Sequence, residues 1–94
     1  MIHNLVEKLA TMNGGNVDIA IQNESNGVLM YISTEKFSSG IDEFYLTLDN
    51  NVLDCNFDIK LPISKIVNVD FGDFQDGMIV INLVDGLEYI ITMI

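Results

Sequence analysis

The sequence predicts an α+β fold that is mostly β. A helix at 2–13 is followed over 16–94 by an antiparallel meander of about six or seven strands, forming a strongly bent sheet or small open barrel. Three observations predict it. Apolar residues recur at helical spacing only near the N-terminus; beyond Gly15 the spacing falls to two; and the later apolar runs are separated by short turn signals rich in Asn and Gly. A chain of 94 residues is one ordinary domain, and a hydrophobic fraction of 49% suffices for a core and argues against disorder.

The helix rests on Ile2, Leu5, Val6 and Leu9, at i, i+3, i+4 and i+7, with Met12 close to the same face. Asn13-Gly14-Gly15 supplies a left-handed end and a flexible exit. Val17, Ile19 and Ile21 then alternate with Asp18, Ala20 and Gln22, the mark of a half-buried strand. Residues 23–27 turn, ending on Asn26-Gly27, and 28–34 return as the partner strand. Residues 35–42, with Ser38-Ser39-Gly40, read as a loop. Residues 43–49 and 52–61 read as a hairpin about Asn50-Asn51. In its second strand Leu53, Cys55, Phe57, Ile59 and Leu61 face one way, and Asp54, Asn56, Asp58 and Lys60 the other. Pro62 ends that ladder. Residues 63–66 suit a single helical turn, and Val67, Val69 and Phe71 restore a strand. An acidic loop fills 70–77. The last hairpin joins 78–84 to 87–93 through Asp85-Gly86, a type I′ signal. Both of its faces are apolar, so it is expected to be covered on both sides.

Charge excludes some partners. The net charge is −10, with 14 carboxylates against four lysines and no arginine. Residues 1–40 carry −2; residues 41–94, with ten carboxylates against Lys60 and Lys65, carry −8. Such a field repels nucleic acid and anionic membranes and attracts basic protein surfaces; the competing reading is that it only keeps an apolar fold soluble. No basic n-region precedes an apolar run, so no signal peptide is expected, and the expected location is the cytoplasm, a host's if the chain is phage-encoded. Asn23-Glu24-Ser25 matches a glycosylation sequon that matters only in secretion.

Chemistry has few candidates. His3 sits in the first helical turn without a positioned partner. Cys55, between Leu53 and Phe57, reads as a buried, inert thiol. One His and one Cys cannot build a tetrahedral zinc site of the usual ligands. Asp70, Asp73 and Asp76 recur every third residue before Gly77, which does not fit the alternate-residue spacing of an EF-hand. Asp54 and Asp58 stand about 13–14 Å apart at strand rise, too far to share a proton. Gly14-Gly15 follows a helix instead of opening one, so no phosphate loop forms. No enzyme activity, metal or cofactor is expected.

An interaction surface remains. Asp54, Asp58, Asp70, Asp73 and Asp76 would meet lysines and arginines of a partner, with Phe74 as the aromatic anchor ringed by charge. Phe37 is a weaker second case, its ring expected to fold back onto the core as a loop plug. The expected function is a non-catalytic acidic inhibitor or immunity-type protein, of the kind phages encode against host defence, that covers a basic, nucleic-acid-binding surface of another protein. The alternative is a self-assembling module, a homodimer through Ile79, Ile81, Leu83, Tyr89 and Ile91. A small barrel holding a small ligand is the third reading.

Overall fold

The computed structural model describes residues 2–23, 25, 27–50, 58–71 and 77–94. Helix α1 (Ile2–Ala10) is followed by eight antiparallel strands: β1 (Val17–Asn23), β2 (Gly27–Thr34), β3 (Phe37–Ile41), β4 (Tyr45–Asn50), β5 (Asp58–Pro62), β6 (Ile66–Asp70), β7 (Met78–Leu83) and β8 (Leu87–Met93). They form a five-stranded sheet in the order β2-β1-β8-β7-β6 and a three-stranded sheet β3-β4-β5. The sheets do not close into a barrel. Among the described residues no helix is long and apolar enough to cross a membrane.

The predicted apolar stripes face one shared core. Leu5, Leu9 and Met12 from the helical segment, Val17, Ile19, Ile79, Ile81 and Ile91 from the large sheet, and Leu46, Leu48 and Leu61 from the small one are essentially inaccessible. The helix tightens after Ala10, where Thr11, Met12 and Asn13 donate to carbonyls three residues back. Gly14, at φ +83°, then takes the left-handed position that closes a helix at least cost in glycine.

Three local expectations are corrected. Residues 37–41, expected as loop, form strand β3. Its Ser-Ser-Gly centre has poor strand propensity, but pairing with β4 from Phe37↔Asn50 to Ile41↔Leu46 supplies what propensity lacks. The register expected for a two-residue turn at Asn50-Asn51 is not the one that β4 and β5 adopt. It would set Asp49 opposite Val52, whereas Asp49 pairs with Asp58; Asn50 is instead the last residue of β4, opposite Phe37. Leu53, Cys55 and Phe57 lie outside the described residues.

The β7–β8 turn is not type I′ either. That turn needs positive φ at both central residues, and among the described residues only glycines have it. Asn82 pairs with Glu88, leaving a longer loop in which Gly86 donates to Leu83 and alone turns left-handed, at φ +89°. The Asp85 carboxylate accepts from the Leu87 amide at 3.1 Å. The expected corner at Pro62 is present as a 3-10 turn over Ile63–Lys65 that carries the chain from the small sheet to the large one.

Candidate functional site

No group of three or more His, Cys, Asp or Glu side chains among the described residues is placed to hold a metal. His3 is exposed and contacts Glu7 one turn along the helix at 3.3 Å; Glu7, without His3, lines an open groove with Asn4, Lys8, Thr11 and Phe71. Cys55 lies outside the described residues. The space between the sheets is filled by the core. The concave features are surface grooves, one of about 470 Å³ beside Phe44, Tyr45, Pro62 and Ile63.

Of the six acidic-surface candidates, Asp58 and Asp70 are described, and both are exposed. Asp54, Asp73, Phe74 and Asp76 lie outside the described residues; by sequence they belong to the connections β4–β5 and β6–β7. The strand ends from which those connections leave fall at one end of the molecule. Asp58 opens β5 close to Asn50, whose cross-strand partner Phe37 exchanges backbone hydrogen bonds with Gly14 and Gly15. Asp70 closes β6 opposite Val80. The β6–β7 connection returns at Gly77, whose carbonyl accepts from Met93, the partner of Val17. Both aspartates therefore sit where α1 hands over to β1, opposite the 3-10 turn and the Gly86 loop.

Asp49 and Asp58 are direct cross-strand neighbours, and one carboxylate oxygen of Asp49 is buried without a hydrogen-bond partner. Like charges at directly opposed positions destabilise a sheet, a cost that folding alone does not require at an exposed residue such as Asp58. Asp58→Lys is expected to raise stability by about 0.5–1 kcal/mol, read as a higher urea midpoint. A lower midpoint would contradict this placement.

The self-association candidates divide differently. Ile79, Ile81 and Ile91 have no accessible surface, Leu83 is buried and Tyr89 is half-buried. Burial also pushes the Tyr89 phenol above its ordinary pKa, with a smaller push from the Asp85 charge. These five side chains are held within one chain's own core and leave a second copy little to touch. The outer face of the same hairpin carries Val80 and Ile90, half-buried, which continue through Ala20 to Tyr31 as one row across the sheet.

That row leads to a surface the sequence reading missed. Val28, Leu29, Met30 and Tyr31, consecutive on β2, are 62%, 54%, 53% and 61% exposed. The available signal was the run Val28-Leu29-Met30-Tyr31-Ile32, which does not alternate and carries no charge. Phe37, by contrast, is 1% exposed and plugs the core, as expected of a ring that folds back.

Two carboxylates are held in fixed geometry. Asp42 accepts the backbone N–H groups of Phe44 and Tyr45, each at 2.8 Å, and these bonds hold its carboxyl below the usual range. Asp18 accepts the hydroxyl of Ser33 at 2.6 Å and that of Tyr31, which lower its pKa in that order. The same bond to Asp18 raises the Tyr31 phenol.

Both carboxyl pKa values are lower folded than unfolded. Their contribution to stability is present above the unfolded value, about 3.9, and is lost as pH falls through the folded values. Urea midpoints should therefore decline below about pH 4, and Asp42→Ala should flatten that decline. An acid limb of unchanged steepness in the variant would contradict the assignment.

Comparison with protein-family models, curated proteins and solved structures finds no match to this chain.

Proposed function

We propose that this chain is a non-catalytic acidic binding protein that covers a basic surface of a partner protein, the role of an inhibitor or immunity-type protein. The observation that carries the reading is the placement of Asp58 and Asp70 at one end of the fold, at the strand ends from which the acidic connections 51–57 and 71–77 leave. The excess of −8 over residues 41–94 adds a long-range attraction to a cationic surface, which speeds encounter and makes the complex sensitive to salt. The Asp49–Asp58 repulsion fits the same reading, because a partner's lysine or arginine would relieve it.

A basic surface that normally binds nucleic acid is the occupant this charge suits best, and binding there would make the chain a competitive inhibitor. The experiment is affinity capture from the native host at low and high salt, with Asp58→Lys/Asp70→Lys as the comparison. Recovery of a basic protein that the double variant fails to hold supports the proposal. Equal recovery by both chains rejects it.

A further inference from the structure

We infer that β2 is a dimerisation edge: it pairs antiparallel with β2 of a second copy of this chain, joining two five-stranded sheets into one. This inference does not rest on the acidic end, which lies elsewhere on the fold.

The two sheets present four edges, at β2, β6, β3 and β5, and an unprotected edge strand is a template for pairing with another chain. Three of these edges carry protection. Strand β5 holds Asp58, Lys60 and Pro62, and β6 is a five-residue strand ending in Asp70 and entered from Lys65. Strand β3 is five residues long, is tied by backbone bonds to Gly14 and Gly15, and packs against α1. Strand β2 runs eight residues from Gly27 to Thr34 with no charge and no proline.

The pattern favours a second copy. The one carboxylate against β2, Asp18, is already held by Tyr31 and Ser33 near the Thr34 end, and an antiparallel copy sets the uncharged run Val28-Leu29-Met30 against apolar residues about a two-fold axis. Val28, Leu29, Met30 and Tyr31 together leave on the order of 400 Å² of apolar surface in water, the size of a functional patch on a monomer. Strand pairing also covers the backbone edge of β2, and the contact, smaller than the about 800 Å² per partner of a standard interface, is that of a weak dimer.

The β1–β2 register shift, where Ile21 pairs with Met30 but Gln22 pairs with Val28, leaves Leu29 as the extra residue of a bulge. Bulges sharpen strand twist and are one way an edge is blunted; this one is confined to Leu29, and residues 30–34 keep regular pairing with β1.

Sedimentation equilibrium of the whole chain from about 10 μM to about 1 mM tests this. The expected result is twice the chain mass. Leu29→Lys, and separately Val28→Lys, should weaken the dimer about tenfold or more with the far-UV spectrum unchanged. Val67→Lys, at an apolar residue 56% exposed on β6, should leave the mass doubled.

Salt separates this contact from the acidic one. Two chains of net charge −10 repel, so raising salt from about 0.05 M to about 0.5 M should strengthen the dimer, while a contact with a cationic partner should weaken. A wild-type chain that stays monomeric throughout, or a Leu29→Lys chain that stays dimeric, overturns the inference.

Discussion

Phe37→Ala is expected to destabilise the fold by about 3–5 kcal/mol, the cost of deleting a buried ring. A chain of this size has about 5–14 kcal/mol in all, so the loss takes a large share. The side chain is 1% exposed, and its backbone binds the helix exit from both sides. Its carbonyl accepts from Gly14 at 2.7 Å, and its N–H donates to Gly15 at 3.1 Å. The ring thus anchors the first residue of β3, a strand whose own sequence has little preference to be one. The melting temperature should fall by about 15 °C or more. Phe44→Ala, at a ring 66% exposed, should change stability by less than about 0.5 kcal/mol. If the two variants melt alike, Phe37 is not the anchor and the packing of the small sheet is wrong.

The second large effect is on binding. Reversing Asp58 and Asp70 together is expected to weaken the complex with a cationic partner by about ten- to a hundredfold, mainly through the association rate if the contacts lie at the rim. Both residues are exposed and Asp58→Lys relieves the repulsion with Asp49, so the loss is read on a double variant whose far-UV spectrum matches the natural chain's. A stability gain paired with a binding loss separates a functional charge from a merely solubilising one. Under the solubilising reading, the double variant binds the partner as the natural chain does. Surface plasmon resonance at two ionic strengths reads both the rate and its salt dependence.

Much of this fold is legible in the sequence because its signals are local. Leu5, Leu9, Ile19 and Ile81 sit at the spacings their elements require, and the turns near Gly27 and Gly86 follow from glycine. What was not legible depended on distant partners. The strand at Phe37–Ile41 exists because β4 and the helix exit meet it, and Ser38-Ser39-Gly40 carries no sign of either. The β4–β5 register followed from neither asparagine, since Asn50 is committed to Phe37 across the sheet.

Sheet order is likewise absent from alternation. The β7–β8 hairpin and the β2 run are equally apolar, but one lies inside the large sheet and the other at its edge. For the candidate site, the sequence identified the acidic residues and their concentration after residue 41. The common end shared by Asp58 and Asp70 required the path of β5 and β6.

Capture from the native host, quantified by mass spectrometry at about 0.05 M and about 0.5 M salt, bears most directly on the role of this chain. The account predicts a basic protein retained at low salt, released at high salt and missing from the Asp58→Lys/Asp70→Lys eluate. An eluate without any specific basic protein, or one whose main component ignores both salt and the two substitutions, would contradict it.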